Sequence, residues 1–247
     1  MDWSDDAIVL SLKPHGEHGL ILEALTRAHG RHLGLVHGGA SPKRRSTLQP
    51  GNSVKLKWRA RLSEHLGTYT AELARARAAE MFDGRAALTG LNAFTSVAGA
   101  VLPERERHMP AYEGAVLLLD AIAAHDFSHW APLFVRWELG LLEELGYGLD
   151  LTRCAVTGAT EDLIYVSPRT GRAVSAAAGA EYREKLLALP PFLLGSQGEA
   201  KESDLLAGLA LTAHFLEQWV LAPHNKTLPE SRARLADLAA RIRAESA

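Results

Sequence analysis

Val54-Lys55-Leu56-Lys57-Trp58-Arg59-Ala60-Arg61-Leu62 places an apolar residue at every even position and a cation at every odd one. A period of two is the mark of a strand with one face on a core and the other in water, because successive side chains leave the pleat in opposite directions. Outward from this stretch, Thr68 to Leu73, Arg31 to Val36, Leu20 to Leu25 and Ala7 to Leu12 also read as strands. Turn formers separate them at Pro14-His15-Gly16, His29-Gly30, Gly38-Gly39 and Gln49-Pro50-Gly51. Five short strands punctuated in this way within about 80 residues predict a small β-barrel of the OB type.

Past Ala79 the sequence turns Ala- and Leu-rich, and the period changes to that of helices. Arg85 to Val101, Tyr112 to His125, Ala131 to Leu145, Leu205 to Leu221 and Ser231 to Glu245 are the expected helices. Their breakers are Pro103, Pro110, Pro132, Gly146-Tyr147-Gly148, Pro190-Pro191 and Pro223. Leu139, Leu142 and Leu145 form one stripe of the third helix, with Glu143 and Glu144 on another. Between 149 and 179 the helical pattern lapses around a strand-like Leu163-Ile164-Tyr165-Val166 and turns at Gly158 and Gly171. The expected fold class is α+β multidomain, with a barrel domain over residues 1–80 and an α-helical domain over 81–247.

The 247 residues are 47% apolar and 23% charged, which suits a globular chain and excludes collagen-like and disordered classes. A net charge of −2 argues on average against a nucleic-acid partner, but the distribution does not. From Ala24 through Ser63 there are nine cations, Arg27, Arg31, Lys43, Arg44, Arg45, Lys55, Lys57, Arg59 and Arg61, and no Asp or Glu. A cationic strand face beside a basic loop at Lys43-Arg44-Arg45 is the footprint expected for tracking phosphates without reading sequence. The competing reading is a solvated edge strand, whose Lys and Arg deter aggregation. Trp58 lies on the apolar side and reads as core, whereas Tyr69 suits either core or stacking. The acidic start at Met1-Asp2-Trp3-Ser4-Asp5-Asp6 is unlike a signal peptide. No uninterrupted apolar stretch approaches the roughly 20 residues of a membrane span, so a cytoplasmic protein is expected.

The motifs of catalysis are missing: there is no phosphate-binding Gly-x-x-x-x-Gly-Lys-Ser/Thr, no Gly-x-Ser-x-Gly and no Gly-x-Gly-x-x-Gly. His15-Gly16-Glu17 lacks the Pro-Cys-x-x-Cys that would complete a zinc deaminase. His15, His18, His29, His32 and His37 crowd the N-terminal segment, which leaves a metal-dependent hydrolase as a rival reading. Their placement in expected turns favours exposed loop histidines. Cys154, the single cysteine, excludes an internal disulfide framework and reads as a small buried hydrophobe. No enzyme, small-molecule substrate or cofactor is indicated.

Arg27-Ala28-His29-Gly30-Arg31, then Val36-His37-Gly38-Gly39-Ala40-Ser41, then Leu48-Gln49-Pro50-Gly51 resemble the N-terminal barrel of the RecO family of recombination mediators. Arg136-Trp137-Glu138-Leu139-Gly140-Leu141-Leu142-Glu143-Glu144-Leu145-Gly146-Tyr147 is similar to that family's central helix. It runs into Leu149-Asp150-Leu151-Thr152-Arg153-Cys154-Ala155-Val156-Thr157-Gly158, as the family's helix runs into a zinc-binding or zinc-like loop. Zinc-binding members carry two Cys-x-x-Cys pairs. The matching positions here are Cys154 and Thr157, then Ser175 and Ala178, after Gly171-Arg172-Ala173-Val174. With three of four thiolates missing, the expectation is a degenerate, zinc-less, finger-like loop held by packing alone.

The resemblance implies a bacterial, nucleoid-associated repair protein that binds single- and double-stranded DNA and anneals complementary strands. It further implies work with RecR in the RecF pathway, loading RecA onto DNA coated by the single-stranded DNA-binding protein SSB and gripping the acidic SSB tail. Such a tail, ending in an aromatic and a carboxylate, needs an apolar groove with one or two arginines. Arg136 is the first candidate, followed by Arg105 and Arg107. A helix-surface ion pair of Arg136 with Glu138 is the alternative. An adaptor whose cations meet an acidic protein partner instead of DNA is the third functional class.

Overall fold

The computed structural model describes residues 1–39, 41–195 and 200–246, with the side chains of Pro42, Lys43 and Ser246 outside the description. Strands β1 (Asp2–His15), β2 (Gly19–Thr26), β3 (Gly30–Val36), β4 (Ser53–Arg59) and β5 (Thr68–Arg75) close a barrel in the order β1-β2-β3-β5-β4. Neighbours are antiparallel except β3 and β5, which run parallel with Leu35 opposite Thr68. This is the OB arrangement. β1 serves two partners because its register shifts between Val9 and Ser11: Asp2–Ile8 pairs with β4, while Ala7–His15 pairs with β2.

The alternation that announces the barrel is realised in β4. Val54, Leu56 and Trp58 are buried with Ala7, Val9, Leu22, Ala24, Val36 and Leu48, while Lys55, Lys57 and Arg59 face water. Trp58 is core, and its indole donates to the Leu66 carbonyl at 3.0 Å. The strand ends at Arg59, short of the Leu62 that alternation alone suggests, because a turn closed by His65 N on Leu62 O returns the chain to β5. The stretch expected as a basic loop instead forms the short helix α1 (Pro42–Thr47). Pro42 opens it, where the missing N–H is no loss.

Helices α2 (Arg77–Glu80), α3 (Arg85–Val101) and α4 (Met109–Ala124) follow. Pro110 starts α4 rather than breaking it, since the first turn needs no amide donor. All three helices belong with the barrel in one compact unit, Met1–Ala124, while His125–Ala247 forms a second. The change from strand to helix near residue 80 and the division of compact units at 124/125 are thus different boundaries. Buried Arg77 holds α4 to the barrel, bonding Asp120 through Nε at 3.0 Å and Nη2 at 2.8 Å and also donating to the Ser53 hydroxyl. Gly30, at φ +67°, lets the segment after α3 cross the start of β3: a Cβ there would sit 1.7 Å from the Glu106 carbonyl.

The second unit packs α5 (Phe127–Glu144), α7 (Glu202–Phe215) and α8 (Glu230–Ser246) around a core that includes Phe134, Trp137, Leu141, Leu209 and Phe215. Pro132 lies inside α5 rather than before it. α7 runs on through a π-helical turn, Leu216–Leu221, and a 3-10 turn, Ala222–His224. Glu202–His224 therefore forms 23 continuous helical residues with a window of mean hydropathy 1.4, long and apolar enough by length and composition to span a bilayer. Glu202, Asp204, His214 and Glu217 interrupt it, so it is not an uninterrupted apolar stretch. Half the window is buried, and α7 packs on α5 and α8 as a core helix does.

The excursion after α5 is a three-stranded sheet, β7 (Ala173–Ser175), β6 (Leu163–Val166) and β8 (Leu187–Ala188), with the short α6 (Ala176–Gly179) beside it. Packing is not all that holds it. Main-chain bonds from Asp150 N to Gly171 O, Ala173 N to Asp150 O, Ala155 N to Ala173 O and Cys154 N to Ala159 O stitch the loop to the sheet.

Candidate nucleic-acid interface on the barrel

β4 carries its cations between two strands that bring acids to the same outer face. Lys55 lies opposite Asp6 of β1 and Glu72 of β5, Lys57 opposite Ser4 and Thr70, and Arg59 opposite Asp2 and Thr68. Lys55 Nζ reaches Asp6 at 3.4 Å. Arg27 pairs with Glu113 at 3.1 Å, and half-buried Arg31 pairs with Glu23 at 2.5 Å while donating through Nε to the Leu102 carbonyl. The acid-free window in the sequence is therefore not acid-free in space. Arg45, Lys57, Arg59 and Arg61 are exposed without an ion-pair partner among the described residues, and Arg44 donates to the His37 carbonyl at 2.7 Å. Lys57, Arg59 and Arg61 follow one another along β4 and the segment just past it, whereas Arg44 and Arg45 sit on α1. The Lys43 side chain lies outside the described residues.

The mouth of the barrel holds a group of rings that sequence reasoning passed over. Trp3 stands opposite Trp58 in the β1–β4 register, and their rings stack at 5.6 Å. His29 stacks on Trp3 at 4.0 Å and 8°, while His32 meets Trp3 and Trp58 edge-on. Asp5 fixes the turn between β2 and β3 by accepting from Ala28 N at 2.7 Å and contacting His29 Nδ1 at 3.0 Å. The Tyr69 hydroxyl and His32 Nδ1 lie 2.8 Å apart. Burial, and secondarily the Arg105 charge, lower the His32 pKa to about 4, so the ring is neutral at physiological pH; burial likewise pushes the Tyr69 hydroxyl up. The expectation of exposed loop histidines holds for His18 and His37; His15 is exposed but ends β1, His29 is half-buried and His32 is buried on β3. No local signal marked Trp3, which sits among acids and meets Trp58 only through the β1–β4 pairing.

A cavity of about 630 Å³ opens over these rings, walled by Trp3, His29, His32 and Trp58 and rimmed by Met1, Asp2, Ala28, Ser63 and Arg105. Arg105 is committed to structure, donating to the Ser63 and His65 carbonyls at 2.8 and 2.9 Å. Arg107 is exposed and reaches the Met109 sulfur at 3.3 Å. In the second unit Arg136 is exposed, lies over the Phe192 ring and donates to the Phe192 carbonyl at 2.8 Å. The alternative pairing with Glu138 is not made, because Glu138 points into the core onto Arg232.

Around Cys154 the fold gathers Thr157 and Ser175, so three of the four positions that the resemblance sets against cysteines come together. Its Sγ accepts from Ser175 N at 3.3 Å and Ser175 Oγ at 3.4 Å. Burial raises the thiol pKa, but hydrogen bonds from Ser175 and Thr157 outweigh it and bring it to about 6. One sulfur and two hydroxyls do not make a tetrathiolate donor set. Among the described residues no three His, Cys, Asp or Glu side chains gather as metal ligands.

Barrel and helices together define a protein with an OB-fold first half and a mainly helical second half. The family model for the recombination protein O N terminus matches residues 1–77, and that for its C terminus matches residues 84–228. The chain is 50% identical over 240 residues to the DNA repair protein RecO of Rhodospirillum centenum, covering 96% of this chain and 94% of that protein. It is 51% identical over 237 residues to that of Phenylobacterium zucineum, covering 96% and 97%, and 49% over 237 residues to that of Caulobacter vibrioides, with the same coverage. The chain belongs to the RecO family, which supports a role in DNA repair and recombination.

Proposed function

We propose that this protein is a non-enzymatic recombination mediator of the bacterial cytoplasm that binds single- and double-stranded DNA through its barrel. In this reading it anneals complementary strands and, with RecR, helps load RecA onto SSB-coated DNA. The observation that carries the DNA contact is the run of exposed cations without ion-pair partners, Lys57, Arg59 and Arg61, leading along β4 to the barrel mouth. Arg44 and Arg45 on α1 add a second cationic station, and Lys43 belongs to it by sequence. Arg27, Arg31 and Lys55 already have carboxylate partners and contribute less. Cations on an open strand face screen two phosphate backbones while leaving base edges free to pair, which is what annealing requires. Arg136, with its aromatic neighbour Phe192, remains the first candidate for the SSB tail, ahead of Arg105 and Arg107.

The test is fluorescence anisotropy of a labelled single strand across a salt series, comparing wild type with a Lys57/Arg59/Arg61→Ala variant. Loss of three phosphate contacts flattens the log–log salt slope by about 2, at about 0.7 per phosphate. An unchanged slope places the DNA elsewhere. Absence of binding even at low salt favours the adaptor reading, in which the cations meet an acidic protein.

A further inference from the structure

We propose that the cavity at the barrel mouth is a subsite for one unstacked nucleobase of single-stranded DNA. The proposal deepens the DNA-binding reading and rests on it. The cavity of about 630 Å³ falls within the size of small-ligand pockets, and its walls are the rings of Trp3, His29, His32 and Trp58. Flat apolar walls with a few polar groups at one end match the chemistry of a base, which has an apolar face and hydrogen-bonding edges.

Arg105 and Ser63 share that end with His32 and Asp2. His32 lines the cavity while almost wholly buried, and Tyr69 engages its Nδ1. Asp2, exposed at the rim, offers a carboxylate acceptor for an exocyclic amino group.

The backbone has its own place beside the cavity. Met1 and Ala60 exchange main-chain bonds at 2.7 and 3.0 Å, and Asp2 stands opposite Arg59. Arg59 and Arg61 flank Ala60, so both cations belong to the segment paired with the rim residues Met1 and Asp2. A strand whose phosphates lie on Arg59 and Arg61 has a base at hand to turn into the cavity. In a duplex that base is paired and stacked, so the subsite serves single strands only.

The experiment fills the cavity without removing any wall. Ala28 is exposed in the β2–β3 turn, and its amide bond to Asp5 does not depend on the side chain. Ala28→Trp and, independently, Ser63→Trp are compared with wild type for binding of labelled oligodeoxycytidine, an abasic strand of equal length and a duplex. The expected result is a roughly tenfold loss of oligodeoxycytidine affinity in both variants, within the range of one base–aromatic contact. The salt slope stays unchanged, and affinity for the abasic strand and the duplex is unaffected. Equal losses on all three probes, or wild-type affinity for oligodeoxycytidine in both variants, overturn the proposal while leaving DNA binding by the barrel intact. Transfer of the defect to an acidic, aromatic-ended peptide also overturns it. Failure of wild type to bind any of the three DNAs instead removes the functional reading on which it rests.

Discussion

In the helical unit Arg232 is enclosed. Its Nε and Nη2 grip Glu138 at 2.6 and 2.9 Å, Nη2 also reaches the Leu209 carbonyl at 2.9 Å, and Thr212 Oγ1 donates to Glu138 at 2.5 Å. The guanidinium lies over Phe134, and both ionised groups are shut away from water. On the barrel, Lys57, Arg59 and Arg61 stand in solvent with no carboxylate among the described residues clasping them. Cations thus serve as a structural clamp in one region and as an open surface in the other. Burial decides which: a desolvated guanidinium requires its carboxylate, while a solvated one is free to meet a phosphate.

The contrast breaks most visibly in the clamp. Arg232→Ala strands the buried Glu138 carboxylate and lowers stability by about 3–5 kcal/mol in urea unfolding; a loss under about 1 kcal/mol shows that the clamp is dispensable. Next in size is the barrel mouth under acid. The folded His32 pKa of about 4 lies below the 6.5 of a free histidine, so its contribution is present above pH 6.5 and is lost as pH falls toward 4. Unfolding titrations should show about 1.4 kcal/mol lost per pH unit across that window from this group, and His32→Gln should remove that component.

Smaller again is the effect of Lys57/Arg59/Arg61→Ala on folding, expected within about 0.5 kcal/mol even as DNA binding weakens. A thermal shift as large as that of Arg232→Ala would mean that the surface cations are structural after all. Least affected in DNA binding are variants of already paired surface cations. Arg27→Ala and Lys55→Ala should change stability by about 0–1 kcal/mol and leave DNA affinity within about twofold.

The barrel was legible because alternation in β4 is a local property, and Arg85–Val101 was legible to the residue because helical periodicity is local too. The site was only partly legible. Nine cations in an acid-free window suggested a uniform basic plate, yet Asp2, Asp6, Glu23, Glu72 and Glu113 all lie outside that window and arrive through folding. Trp3, in an acidic N-terminal segment, gave no sign of belonging to an aromatic cluster until β1 paired with β4. In α5 the expected stripe keeps Leu142 in the core but leaves Leu139 and Leu145 half-buried, and the buried face takes in Trp137, Glu138 and Leu141, because a carboxylate enters the core once Arg232 is there to meet it.

By itself, then, the sequence determined which segments are strands and which are helices, and where cations face outward, since each depends on residues a few positions apart. Tertiary structure decided which cations are spent on carboxylates, which rings close the barrel mouth and which glutamate is buried. Those outcomes depend on register and barrel closure, which set residues far apart in the chain side by side.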